Sequence, residues 1–191
     1  MKVIGINGSA RKDGNTAIAI QKVFSVLEEA GIETELIQLA GKSITGCNAC
    51  YSCFKNKDKK CVNTNDNINE CIEKMSLADG IILGSPVYYA DVTAGMKALI
   101  ERAGFVSTAN GYLFKHKVGA TVTAVRRGGA THAFDTINHF LHYNQMFLVG
   151  STYWNMVYGR EIGEVENDTE GINNMINLGE NMVVLLKKLH S

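Results

Sequence analysis

Apolar positions along the chain switch between two periods, and the switches mark out the elements. Lys2–Asn7 (KVIGIN) is a short apolar run of strand type. From Thr16 to Ala30, Ile20, Val23, Phe24, Leu27 and Ala30 share one face, while Gln21, Lys22, Ser25, Glu28 and Glu29 take the other, the pattern of an amphipathic helix. Asp13-Gly14 is a turn signal before it, Asn15 or Thr16 can cap it, and Gly31 stops it. Glu33–Leu39 alternates as a strand does. A helix is expected from about Asp66 to Leu77 with Ile68, Cys71, Ile72 and Met75 inward, followed by Gly80–Gly84, a continuous apolar strand of the kind buried on both faces. Thr93–Ala103 reads as helix, Val118–Val125 as strand, Thr131–Tyr143 as helix and Met146–Val149 as a last short strand. Ile172–Leu189 closes the chain as a strong amphipath with Ile172, Met175, Ile176, Met182, Val183, Leu186 and Leu189 inward. Two stretches have no period: Ala40–Asn65, rich in cysteine, and Gly150–Gly171, which carries three large aromatics.

Strands alternating with helices imply a parallel sheet covered on both faces, an α/β fold. Five strands fit the doubly wound, flavodoxin-like order 2-1-3-4-5 better than the six-stranded dinucleotide fold. In such sheets ligands bind at the carboxyl ends of the strands, so the loops after strands one, three and four draw attention.

Length and charge narrow the class. The 191 residues suit one domain over 1–191, and a 46% hydrophobic fraction supplies a sizeable core. Nineteen Lys and Arg balance nineteen Asp and Glu, which argues against disorder and against nucleic acid, whose binders carry a basic excess. The apolar run at the N-terminus is broken by Gly5, Asn7 and Gly8, unlike a signal peptide. No run reaches the ~18 apolar residues of a membrane span. A cytoplasmic protein without a membrane partner is expected.

The first loop, Asn7 to Thr16, leaves a strand and opens a helix. Backbone N–H groups, hydroxyls and Arg11 converge on a helix N-terminus, which suits a phosphate; the alternative is an ordinary polar turn. Gly8 and Gly14 are one residue too far apart for a Walker A loop, Asn15 stands where that motif needs Lys, and no G-x-G-x-x-G is present. The second loop, Gly84 to Asp91, holds the chain's one proline, Pro86, then Val87, Tyr88 and Tyr89, an apolar ledge for a planar ring or simply a cover for the sheet edge. The third, Ala124 to Ala130, offers Arg126 and Arg127 for charge and Gly128 and Gly129 for close backbone approach. The histidines have no metal-like spacing, and no G-x-S-x-G elbow occurs.

Four of the five cysteines crowd together as Cys47-x2-Cys50-x2-Cys53-x7-Cys61, which is not a secreted disulfide pattern. Four thiolates on short spacings suit an iron–sulfur cubane. Zinc is the rival, although its sites more often use two separated C-x2-C knuckles, and free thiols are the third reading. Cys71 falls at an inward helix position and reads as a buried hydrophobe. Lys55, Lys57, Lys59 and Lys60 inside the loop form a solvated face that could steer an acidic redox partner.

Taken together, Gly8-Ser9-x-Arg11, Asn15-Thr16 and Gly84-Ser85-Pro86-Val87-Tyr88 resemble the NADPH-dependent FMN reductase group of flavodoxin-like proteins. The cysteine spacing, with Tyr153-Trp154-Asn155 and then Gly159, resembles its iron–sulfur flavoprotein branch. The resemblance implies FMN with its phosphate at Ser9, Arg11, Asn15, Thr16 and Ala17. It implies the ring along Pro86, Val87, Tyr88 and Tyr89, with Arg127, Gly128 and Gly129 on a third side. It also implies a 4Fe-4S cluster on Cys47, Cys50, Cys53 and Cys61, and an oxidoreductase passing electrons from NAD(P)H or a reduced carrier to a flavin, quinone or similar acceptor. The alternative is a non-enzymatic electron carrier between redox partners. The chemistry belongs to the flavin, so no catalytic acid or base is named. Tyr153, Trp154 and Tyr158 in an aperiodic segment point to a subunit contact, hence a homodimer or homotetramer whose partner walls the flavin, with Trp154 near the ring or the contact.

Overall fold

The computed structural model describes residues 1–39 and 43–190, so the first residues of the cysteine-rich stretch lie outside the described residues. β1 (Lys2–Asn7), β2 (Glu33–Gln38), β3 (Gly80–Pro86), β4 (Val118–Val125) and β5 (Phe147–Leu148) pair in the order β2-β1-β3-β4-β5. Every ladder is parallel: Lys2 lies opposite Glu33, Asn7 opposite Gly84, and Pro86 opposite Ala124. The expected flavodoxin-like topology is therefore the observed one.

Strand alternation decides which side chain enters which core. Ile4, Ile6, Ile81 and Leu83 face α3 (Ile68–Leu77), α4 (Ala94–Ala109) and α5 (Ala130–Tyr143). Val3, Ile82, Val118, Ala120 and Val122 face α1 (Asn15–Glu29) and α6 (Thr169–Leu189) on the opposite side. Burial on both faces explains why β3 and β4 read as unbroken apolar runs.

Four differences from the periodicity have physical causes. The cysteine-rich stretch is not all loop, because a short helix, α2 (Ser52–Asn56), forms between two left-handed residues, Tyr51 and Lys57. The helix after β3 does not stop at Ala103, since Gly104 lies against Phe140 and the helix runs on to Ala109. α6 begins at Thr169 rather than Ile172, because the Asp168 carboxylate accepts from the N–H groups of Gly171 (3.0 Å) and Tyr158 (2.7 Å). The segment Gly150–Gly171 is not wholly irregular: β6 (Met156–Tyr158) pairs parallel with the far end of β4, and a 3-10 turn follows at Glu164–Asn167. Met156, Val157 and Val165 are buried, so part of that segment is core. The fifth sheet position is thus one strand interrupted, β5 beside Val118–Gly119 and β6 beside Thr123–Val125.

Thr93 fastens α4 to the carboxyl edge. Its hydroxyl caps the helix by accepting the Met96 N–H (3.2 Å) and donates to the Gly8 carbonyl (2.7 Å). Thr93→Ala removes both bonds in one step and is expected to lower unfolding free energy by about 1–2 kcal/mol. A denaturant midpoint equal to that of the parent would contradict this account of the junction.

Candidate functional site

The loop after β1 is held from beneath. The buried Asn7 amide accepts the Ser9 N–H (3.0 Å) and donates to the Lys12 carbonyl (3.1 Å) and to the Gln38 side-chain oxygen (2.6 Å). Gln38 in turn donates to the Ser9 carbonyl (2.6 Å). The loop is thereby curled over the β1 end, with the Ser9 hydroxyl accepting the Arg11 N–H at 3.1 Å. Gly14 caps α1 without a side chain, so the N–H groups of its first turn remain open for an anion.

The segment after β6 folds over that turn. Asn15 donates to the Glu161 carbonyl (2.9 Å) and accepts the Gly163 N–H (2.9 Å), while Arg11 Nη1 donates to the Arg160 carbonyl (3.1 Å). Gly159 is required at this crossing, since a Cβ there would come within 2.7 Å of the Val165 backbone nitrogen.

The second loop is a tight reversal. Tyr88 and Asp91 exchange backbone hydrogen bonds of 2.8 and 3.0 Å across Tyr89 and Ala90, both left-handed at φ 49° and 64°. Backbone strain of this kind in non-glycine residues persists where the surroundings over-determine it, often at functional sites. Gly129 presses against this reversal from the third loop: at φ +85° its absent Cβ would lie 3.0 Å from the Ala90 Cα. Burial works to raise the Asp91 carboxyl, but hydrogen bonds from Thr136 and the Val92 N–H together with the charges of His132 and Lys97 hold it below its ordinary range.

These loops enclose a cleft of about 170 Å³. Ser9, Arg11, Asn15 and Thr16 line one side and Pro86, Val87 and Tyr88 another, as grouped from the sequence. Ala124, Arg126, Gly159 and Arg160 complete it. Ala17 is buried behind the helix turn, and the Tyr89 side chain stands fully in solvent. From the third loop it is Arg126, one position before the expected Arg127, that lines the cleft, and Arg127, Gly128 and Gly129 are not among its walls. Trp154 is outside it as well, half-exposed and 4.5 Å from Tyr153 ring to ring.

A second cavity, also about 170 Å³, is lined by all four clustered cysteines, Cys47, Cys50, Cys53 and Cys61. Two neighbours on α4 hold the two ends of the cysteine loop. The Glu101 carboxylate accepts the Cys47 N–H at 3.1 Å. Arg102 donates from Nε to Cys61 Sγ (3.3 Å), from Nη2 to the Asn63 carbonyl (2.7 Å) and from Nη1 to the Asp66 carboxylate. Ala49, Tyr51, Lys57 and Lys59 are left-handed, which winds the loop around the cavity. Phe105 packs edge to face with Tyr51 and Phe54, which are tilted against each other, at 5.9–6.1 Å beside it. No three described His, Cys, Asp or Glu side chains converge on one point suited to a single ion. A cubane asks for something else, one thiolate at each of four separate irons.

The sequence model of the NADPH-dependent FMN reductase family matches residues 1–161. An iron–sulfur flavoprotein of Methanocaldococcus jannaschii is 37% identical over 98% of both chains, and one of Methanosarcina thermophila is 35% identical over 78% of both. The chain belongs to the NADPH-dependent FMN reductase family, in its iron–sulfur flavoprotein branch. Family membership makes it an FMN-linked redox protein of the oxidoreductase type. The fold is shared with RosB bound to 8-demethyl-8-formylriboflavin-5'-phosphate, at a TM-score of 0.74 and 19% identity over all of this chain and 80% of that one. It is shared too with an archaeal flavodoxin, at a TM-score of 0.63 and 14% identity over 98% of this chain and 99% of that one. Among the described residues no helix is long and apolar enough to cross a membrane.

Sequence reasoning passed over Asn7 and Gln38, polar strand ends that brace the loop, together with Arg160 and the Arg102–Asp66 pair, and it took Arg127 rather than Arg126 as the flavin-side arginine. Only the unusual polarity of Asn7 and Gln38 at the ends of apolar strands could have flagged the first two. The cysteines differ in environment. Hydrogen bonds from Ser52 pull the exposed Cys50 thiol below its ordinary range, whereas burial pushes Cys71 up to about 12. In metal-free protein at pH 8, a thiol reagent should therefore label Cys50 first and Cys71 last. Peptide mapping by mass spectrometry reads the order, and early labelling of Cys71 would contradict its place in the core.

Proposed function

We propose that this protein is an FMN-dependent oxidoreductase of the reducing cytoplasm. It passes electrons from NAD(P)H or a reduced carrier to a flavin, quinone or similar acceptor, with a 4Fe-4S cluster on Cys47, Cys50, Cys53 and Cys61. The observation that carries the reading is that α4 anchors both candidate centres. Thr93 at its start binds the phosphate-type loop, and Glu101 and Arg102 bind the cysteine loop. The two anchors are roughly 13 Å apart along the helix axis at 1.5 Å per residue.

In this reading the open N–H groups of the α1 first turn, the Ser9 hydroxyl and Arg11 hold the FMN phosphate, with Asn15, Thr16 and Ala17 forming the turn itself. Pro86, Val87, Tyr88 and Tyr89 flank the ring, Arg126 closes a third side of the cleft, and Arg127, Gly128 and Gly129, beyond its walls, meet the part of the ring that extends past it. Arg160, ion-paired with Glu161 at 3.2 Å, lines the same cleft. FMN, when bound, supplies hydride and single-electron chemistry, and the chain supplies position, charge and shelter from water. A relay between redox partners without direct NAD(P)H oxidation is the second reading, favoured by the exposed lysines Lys55, Lys57, Lys59 and Lys60 around the cysteine loop.

Protein purified without oxygen should carry flavin absorption and a broad iron–sulfur shoulder, and should oxidise NAD(P)H with an added flavin or quinone. Flavin and cluster bands without that turnover would favour the relay. In apo-protein, Ser9→Ala with Arg11→Ala should weaken FMN binding by at least tenfold, since charge-assisted bonds to a phosphate are worth roughly 1.5–3 kcal/mol each. Unchanged affinity on titration would sink the phosphate assignment.

The assembly we propose is a homodimer or homotetramer. Tyr153, Trp154 and Tyr158 are each about half-exposed, and the two-residue edge strand β5 leaves Phe147 and Leu148 open as well. Aromatic surface of this kind is enriched at interfaces, and a partner would wall the open side of the cleft. Light scattering at micromolar concentration should give a mass of two or four chains, and a strictly monomeric mass with FMN bound would refute it.

A further inference from the structure

Arg102 is only 1% exposed, and the side chain of its partner Asp66 is not exposed at all. Placing a charge pair in a core is poor value for stability alone, because well-packed apolar side chains do as well or better. The geometry suggests another use. Of the guanidinium donors, Nη1 and Nη2 are occupied by Asp66, Thr45 and Asn63, while Nε is aimed at Cys61 Sγ, 3.3 Å away. The Cys61 sulfur thus faces a fixed positive charge across a directed N–H bond, with the counter-charge bound at Nη1 of the guanidinium. At the other end of the loop, the carboxylate of Glu101 faces Cys47 through its backbone N–H.

We propose that Arg102 is a positioning and tuning residue that raises the reduction potential of the metal centre ligated by Cys61, and that Asp66 tempers the effect. This rests on the cluster reading above. Reduction there adds one electron from a reduced flavin or carrier, with no bond formed or broken and no proton transferred, so one more negative charge accumulates on the sulfur-ligated iron. Hydrogen bonds to ligating sulfur and local net charge are the protein's levers on such potentials. Burial keeps the Arg102 charge from being screened by water. Arg102 therefore favours the reduced state, Asp66 opposes it, and the two single substitutions must shift the potential in opposite directions.

The experiment compares wild type, Arg102→Gln, Asp66→Asn and the double variant, purified anaerobically. Iron and sulfide are counted per chain, and the cluster midpoint is followed by electron paramagnetic resonance during redox titration. The FMN midpoint in the same samples serves as the internal control. Arg102→Gln should lower the cluster's reduction equilibrium about tenfold, ~59 mV for one electron. Asp66→Asn should raise it, the double variant should fall between them, and the flavin should not move. Shifts of both single variants in the same direction, or equal shifts of flavin and cluster, would overturn the proposal. If Arg102→Gln sheds its iron, Arg102→Lys decides: a potential below wild type supports the directed N–H bond, and a wild-type potential overturns it. Wild-type protein without iron would overturn the cluster reading itself, a result distinct from iron-loaded variants with unmoved potentials.

Discussion

At the last ladder pair of β1 and β3, Asn7 opposite Gly84, one backbone bond ties the loop after β1 to β3: the Gly8 N–H donates to the Gly84 carbonyl at 2.8 Å. It carries the pairing one residue past the end of β1 and brings the phosphate-type loop beside the Pro86 loop. A side chain at Gly8 would meet that same carbonyl and Met96 both at 3.0 Å, so the close approach depends on the glycine. Parallel strands send every following loop to one edge. This bond sets how near two of those loops come, and the Thr93 hydroxyl, on the other side of Gly8, brings α4 into the same junction.

From that junction α4 carries order to the second cavity. Its apolar face, with Met96, Leu99, Ala103 and Val106, is packed in the core, so the adjacent Glu101 and Arg102 are delivered by a rigid element rather than a loop. The cysteine loop has little internal regularity of its own and four left-handed non-glycine residues, and strain of that order needs outside support. Arg102 supplies it by binding the Thr45 and Asn63 carbonyls on the loop's two arms as well as Cys61. One buried guanidinium thus shapes the cavity and charges its wall.

The interruption of the fifth strand has a related logic. β5 and β6 occupy one position in the sheet, and the residues between them loop out and expose Tyr153 and Trp154. The β6 half then places Gly159 and Arg160 over the α1 N-terminus, where the N–H of Gly159 donates to the Val125 carbonyl at 2.9 Å. Surface aromatics and a wall of the cleft therefore come from one insertion.

Element type, sheet order and the edge that bears the site were legible in the sequence, because each depends on local periodicity and on a topological rule for parallel strands. Ile4 and Ile6 announce one core and Val3 the other, and Ser9, Arg11, Asn15, Thr16, Pro86, Val87 and Tyr88 could be grouped before any contact was known. The crowding of four cysteines within one loop was equally plain. Local pattern carries no information on pairings between distant segments. Gln38 bracing Ser9, Arg160 meeting Arg11, Arg126 rather than Arg127 entering the cleft, and Asp66 neutralising Arg102 join residues dozens of positions apart. Apart from the polarity of Gln38 at a strand end, nothing in the sequence ranks those polar residues above their neighbours. Only when the sheet and α4 have formed do particular donors and acceptors come within reach, and where they lose water together, as at Arg102 and Asp66, burial commits them to the partners at hand.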